Sequence, residues 1–334
     1  MTQHKRRKII KRILGRAQRH AFEGFFKAVA FATERTGRQQ KIIRGCEVIR
    51  DVAYAEDGDP AHLLDISRPR ERQSLLPVLL YIHGGGFTIC SKDTHRGIAR
   101  AYAHHGKMVV FNVNYRLAPR NKFPAALADA CLAYRWIVQN AERYGGDPRR
   151  IVIAGESAGG NLALALSICA SSRRPEPEAA PAWEAGVAPV AVLVLCAILQ
   201  VSDPGRFREG EEAVSGARLA WHQKMVRDVS AAYLGRGYRS PDPVHALADP
   251  LLIMENGFAP DRPFPAVFVM VGTRDILLPD TRRLEAALQR AGLPHEAHYY
   301  EGEGHAFQIQ PWKPNALKFW KDNFIFLRKL LAAA

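Results

Sequence analysis

The chain has 334 residues, 47% of them hydrophobic and 24% charged, a profile that excludes a disordered, collagen-like or fibrous protein. At roughly 150 residues per domain this length admits two domains or one elaborated α/β domain. The 47 Lys and Arg against 33 Asp and Glu give +14. Of these, 14 basic and only three acidic residues fall within residues 1–50, leaving the other 284 residues at +3, so a polyanionic partner would have to meet the N-terminal segment and not the fold as a whole.

In that segment Ile10, Leu14, Ala17, Ala21, Phe25 and Ala28 recur at helical spacing, and Lys5, Arg6, Lys8, Lys11, Arg12, Arg16 and Arg19 fill the rest of the surface. The pattern predicts a basic amphipathic helix. It reads as part of a cap over a binding mouth, as a peripheral anchor in which residues 1–30 touch an anionic membrane, or as a solvated tail. No recognition motif supports nucleic acid. The basic start is not followed by an uninterrupted apolar run, so no cleaved signal peptide is expected.

From residue 48 onward short apolar runs alternate with helical patterns. Residues 48–54 and 62–66 predict an antiparallel start. Residues 76–83, 108–114, 150–154, 190–196 and 266–271 are nearly continuous apolar segments, as strands buried on both faces are, and 296–300 adds a late strand. Between them 91–105, 123–144, 157–170 and 280–291 carry helical spacing. Alternation of this kind predicts a mainly parallel, doubly wound α/β sheet with helices on both faces. Two stretches stand outside it: residues 1–47, and an insertion at about 203–249 with a helix-like piece at 217–234. The proline-rich 172–189 reads as a solvated surface excursion.

The five cysteines, Cys46, Cys90, Cys131, Cys169 and Cys196, show neither CxxC nor zinc-type spacing, which suits a reduced, cytoplasmic protein. The longest apolar stretch, 187–199, has 13 residues and a proline, too short to cross a bilayer. Neither HExxH nor a Cys/His pair suggests a metal.

The chemistry gathers in three places. Gly155-Glu156-Ser157-Ala158-Gly159 follows a predicted strand and opens a predicted helix, the setting a nucleophile elbow needs; the alternative is a glycine-rich turn with a capping serine. His83-Gly84-Gly85-Gly86-Phe87 follows the strand at 76–83. Its bare glycine amides, those of Gly85 and Gly86 with that of Ala158, suit an oxyanion hole, with His83 and Gly84 supporting the loop. A phosphate loop would call for a following Lys-Ser/Thr or a GxGxxG pattern, and the sequence has neither there. Finally, Asp275 lies just past the strand at 266–271 and His305 after the strand at 296–300. In the order Ser, acid, His these are positions for a base and the group that orients it. Asp280, next to Pro279, competes with Asp275 but reads as the N-cap of the following helix. His295 and His298 fit strand alternation, and His222 and His245 read as ordinary surface or core imidazoles.

On these residues the sequence resembles the hormone-sensitive-lipase-like (bacterial family IV) esterases of the α/β-hydrolase superfamily. The carrying motifs are HGGGF (83–87), NYRLAP (114–119) with FPAA (123–126), YGGDPRRI (144–151), GESAGG (155–160), GTRD (272–275) and GHAF (304–307). The resemblance implies an α/β-hydrolase fold over 48–334, carboxylic-ester hydrolysis by Ser157, Asp275 and His305, an HGGG oxyanion hole and no cofactor. It also implies that both irregular stretches cap the active-site mouth. Glu156 stands where the family often has Asp, and Arg120 where an acid often follows, which leaves subfamily and substrate open. The family's non-catalytic binders have lost the His that this chain retains at 305. The substrates in view are short- to medium-chain esters, with deacetylation or amide cleavage of a larger metabolite, longer-chain lipolysis, or a non-enzymatic ligand- or membrane-binding role as alternatives. For a longer-chain substrate Phe22, Phe25, Phe26, Phe207, Trp221 and Phe258 are candidate pocket residues.

Overall fold

In the computed structural model the described residues are 24, 37–71, 73–207, 216–235, 237–238 and 243–332. The predicted basic helix, with Phe22, Phe25 and Phe26, lies outside them. Eight strands form one sheet in the order β1-β2-β4-β3-β5-β6-β7-β8. They are β1 (Cys46–Ala53), β2 (Leu63–Pro69), β3 (Leu76–Ile82), β4 (Val109–Val113), β5 (Gly146–Glu156), β6 (Ala191–Leu195), β7 (Ala266–Gly272) and β8 (His295–Tyr300). The β1–β2 and β2–β4 pairs are antiparallel, and every pair from β4 to β8 is parallel.

The apolar runs are continuous because both faces are covered. In β3, Val78, Leu80 and Ile82 enter one core while Leu79 and Tyr81 enter the other. The first core takes in α3 (Ala125–Asn140), α4 (Ala158–Ser171), α7 (Pro250–Glu255) and α8 (Leu278–Arg290). The second takes in α2 (Arg96–Gly106) and α9 (Pro314–Leu331). Every residue of α4 is buried, as expected of a helix apolar on all sides at the centre of a layered domain.

The remaining helices are α1 (Gly37–Gly45), which packs on α2 and β1, α5 (Ala180–Glu184), and α6 (Gly216–Tyr233). Helix α6 matches the predicted piece at 217–234 and sends Leu219, Val226 and Tyr233 into the first core. Among the described residues no helix is long and apolar enough to cross a membrane. All five cysteines are free and buried.

Several boundaries differ from expectation for physical reasons. Strand β5 begins at Gly146, four residues before the apolar run, because Gly146 and Asp147 pair with Leu76 and Pro77 ahead of a register shift. Helix α2 starts at Arg96 and not near 91, since Thr94 Oγ1 turns back onto the Ser91 carbonyl at 2.7 Å, leaving His95 at the N-cap position. The stretch 172–189 is no mere solvated excursion: it contains α5, and Ala179 and Ala182 are buried against the first core. Asp280 is not an N-cap, a position held by Leu277. It is fully buried, accepts from the Leu199 amide at 2.8 Å and pairs with Arg206 at 2.5 Å.

Candidate active site

The site is assembled where the parallel strands end. Ser157 follows β5 directly and precedes α4, with φ 53° and ψ −117°, a left-handed conformation that costs a non-glycine residue on the order of 1–3 kcal/mol. Its amide donates to the Leu195 carbonyl at 2.8 Å, extending the β5–β6 pairing by one residue. The turn closes because its neighbours lack side chains. A Cβ at Gly155 would lie 2.1 Å from the Gly159 carbonyl oxygen, and one at Gly159 would lie 2.1 Å from that of Ile82.

The loops after β7 and β8 bring Asp275 and His305 to this serine. His305 Nε2 lies 3.0 Å from Ser157 Oγ, and His305 Nδ1 lies 2.8 Å from Asp275 Oδ2. Asp275 is 1% exposed and its other oxygen accepts from the Leu277 amide. An ionised carboxylate only accepts, so Nδ1 carries the proton and Nε2 presents its lone pair to the serine hydroxyl. Burial works against charge on His305, but the Asp275 carboxylate and its hydrogen bond, with the charge of Glu156, outweigh it and raise the imidazole pKa above its ordinary value. The two loops are laced together. The Arg274 amide donates to the Glu303 carbonyl at 2.8 Å, Thr273 to Tyr300 at 3.0 Å, and a Cβ at Gly272 would meet the Glu303 oxygen at 2.3 Å.

The predicted oxyanion loop continues β3. Gly85 (φ 113°) and Gly86 (φ 57°) adopt conformations that favour glycine. The Gly85 carbonyl accepts from the Thr88 and Ile89 amides, while no described backbone hydrogen bond is donated by Gly85 or Gly86. Ala158 opens α4, where the first amides have no partner within the helix. His83 supports the loop: its Nδ1 donates to the Gly84 carbonyl at 2.7 Å, its ring stacks on Tyr115 at 4.2 Å, and Tyr115 Oη donates to the His83 carbonyl. Burial, reinforced by nearby His95, drops the His83 pKa to about 3, so the ring is a neutral brace. Helix α6 lies over this loop. Tyr233 stacks on Phe87 at 3.7 Å, and a Cβ at Gly86 would come within 2.8 Å of Val229 Cγ2.

Residues 79–309 match the sequence profile of a family described by the alpha/beta hydrolase fold. The chain belongs to that family. Within it the chain falls in the hormone-sensitive-lipase-like branch. It is similar to the versiconal hemiacetal acetate esterase of Dothistroma septosporum, with 30% identity over 250 residues, 75% of this chain and 72% of that protein. It is also similar to the carboxylesterase NlhH of Mycobacterium tuberculosis, with 47% identity over 92 residues, 28% of this chain. That second match spans only 29% of NlhH. Among solved structures, a bacterial heroin esterase superposes with a TM-score of 0.75 at 24% identity, covering 93% of this chain and 90% of its own. An esterase of Pyrobaculum calidifontis gives 0.72 at 23% identity, covering 96% and 94%. At such identities the likeness is one of fold.

In this α/β hydrolase the motif NYRLAP is a brace. Arg116 lays its guanidinium on buried Asp129, with Nη2 at 2.6 Å, and the Ala118 amide donates to the Phe87 carbonyl. Two residues beside the site carry no catalytic signal in the sequence: Glu156, hydrogen-bonded to His95 and Gln308, and Cys196, whose ligand atom lies within 4.8 Å of those of Asp275 and His305. Burial, with the charges of Asp275 and Glu156, pushes the Cys196 thiol well up. It stays protonated, and both His305 nitrogens are already engaged by Asp275 and Ser157, so Cys196 is a neutral neighbour of that line and an unsuited metal ligand. Of the candidate pocket residues, Phe207 is buried, Phe258 packs on Phe264, and Trp221 is exposed.

Proposed function

We propose that the chain is a serine carboxylic-ester hydrolase acting on short- to medium-chain acyl esters. The observation that carries this reading is the hydrogen-bonded line from Ser157 Oγ through His305 to Asp275 on a strained strand-to-helix turn. Ser157 Oγ attacks the ester carbonyl as its proton passes to His305 Nε2, and Asp275 stabilises the imidazolium. The amides of Gly85, Gly86 and Ala158 take the negative charge on the carbonyl oxygen. His305 returns the proton to the departing alcohol, leaving an acyl-serine. Water, deprotonated by His305, then releases the acid. No step uses a metal or cofactor.

The short-chain reading takes into account that α6 sits close to the oxyanion loop, where a Cβ at Gly86 would come within 2.8 Å of Val229 Cγ2. The acetate ester in the name of the Dothistroma relative agrees with it. In this reading the segment at 203–249 is the cap, and the N-terminal basic segment completes it. Ser157→Ala is expected to lower kcat by on the order of 10⁶ on p-nitrophenyl butyrate, and a fluorophosphonate probe to label wild-type Ser157. Turnover surviving the substitution would refute the reading. A profile of p-nitrophenyl esters from acetyl to palmitoyl should peak at short chains.

A further inference from the structure

Glu156 closes β5 beside the nucleophile and is buried, yet both its oxygens are taken by side chains from distant loops. Oε1 accepts from His95 Nε2 at 2.7 Å and Oε2 from Gln308 Nε2 at 2.6 Å. Gln308 stands three residues after His305, in the 3₁₀ turn Phe307–Ile309. Its amide oxygen is buried without a partner. An unpaired buried acceptor costs about 1–3 kcal/mol, so this side chain is oriented by its bond to the carboxylate and not by its own full satisfaction. His95 follows the oxyanion loop and stands at the N-cap position of α2, with its ring stacked on that of His83 at 5.6 Å. Gly84 rests on the same glutamate: a Cβ there would lie 2.9 Å from the Glu156 carbonyl oxygen and 3.1 Å from Cγ.

We propose that Glu156 is a positioning residue of this hydrolase. Through Gln308 it sets the loop that carries His305, through His95 and Gly84 it sets the loop that carries the oxyanion amides, and its charge favours the His305 imidazolium formed during attack. The proposal rests on the reading of Ser157, Asp275 and His305 as a triad.

Burial alone would raise the Glu156 pKa. The His95 hydrogen bond and charge, the charge of His305 and the Gln308 bond outweigh it and hold the carboxyl below its usual range. The other titratable groups around it are Tyr81, Tyr102, Tyr115, Cys196 and His83. Burial pushes the tyrosines and the thiol up and His83 down, so all five are neutral near pH 7. Among the described residues this leaves His95 and His305 as the basic groups the anion faces.

The test compares wild type, Glu156→Gln, Glu156→Asp and Gln308→Leu for kcat and KM on p-nitrophenyl butyrate across pH, with fluorophosphonate titration of Ser157 and circular dichroism for folding. Glu156→Gln removes the charge at constant volume and sets an amide donor against a donor. Its kcat is expected to fall about 10- to 100-fold with little change in KM, and the acid limb of kcat/KM to move to lower pH. Glu156→Asp should lose less kcat and keep the limb near wild type. Gln308→Leu keeps the anion, so kcat should fall while the limb stays in place. An unmoved limb in Glu156→Gln, or wild-type kcat in Gln308→Leu, overturns the proposal. Should Glu156→Gln fail to fold, Gln308→Leu decides alone. Wild-type protein that neither hydrolyses esters nor is labelled at Ser157 overturns the hydrolase reading itself, and this proposal with it.

Discussion

At the strand ends Gly155, Gly159 and Gly272 let backbone meet backbone where a methyl group would strike a carbonyl oxygen. Above them the segment that follows β6 is attached differently. Arg206 pairs with buried Asp280, Asp249 accepts from the amides of Val201 and Ser202, and Tyr233 stacks on Phe87. The catalytic edge is held by steric fit that tolerates no added atom; the segment after β6 is held by polar anchors and by apolar side chains of α6, Leu219, Val226 and Tyr233, that enter the first core. Geometry that chemistry needs to a fraction of an ångström rests on the first kind of contact, and the roof on the second.

Four measurements bear on this contrast. Asp275→Asn removes the acceptor that orients His305 and should lower kcat by roughly 10⁴ while the protein stays folded; a small loss would mean that packing alone positions the imidazole. Gly159→Ala should destabilise the fold by about 4 kcal/mol or more in urea unfolding, since its new carbon meets backbone on another strand's loop. Arg206→Met leaves Asp280 buried without its counter-ion and should cost about 3 kcal/mol. Its effect on kcat in the surviving folded fraction should be slight, and a loss as large as that of Asp275→Asn would erase the distinction between edge and roof. The gentlest probe is pH. Only neutral His305 accepts the serine proton and its pKa is raised, so activity should be lost as pH falls through a midpoint above about 6.5. A limb at or below that value would contradict the Asp275 and Glu156 environment.

The parts of this molecule legible in the sequence are those whose signal is local. Two-sided burial writes itself as unbroken apolar runs, as in β3 and β7, and the elbow as small residues packed around Ser157. Chain order marks Asp275 and His305, each on a loop after a late strand. Features that depend on distant residues escaped. Asp280 looked like a cap because Pro279 precedes it, but its partners Arg206 and Leu199 are 74 and 81 positions away. Glu156 reads in sequence as a family variation, and its partners His95 and Gln308 are 61 and 152 residues distant. Lys92, in an apparently ordinary polar stretch, is buried on Asp65 at 2.7 Å. Buried polar pairs leave no periodicity, so spacing cannot reveal them.

Ser157 and His305 are 148 residues apart in the chain. A nascent polypeptide exposes the serine, its glycine turn and the oxyanion loop long before the imidazole is synthesised. Until β7, β8 and the turn after them have docked, the Ser157 hydroxyl lacks its His305 partner. On the proposed triad, activity would wait for completion of the fold, and a product shortened before residue 305 would lack the base even where its nucleophile is correctly bent.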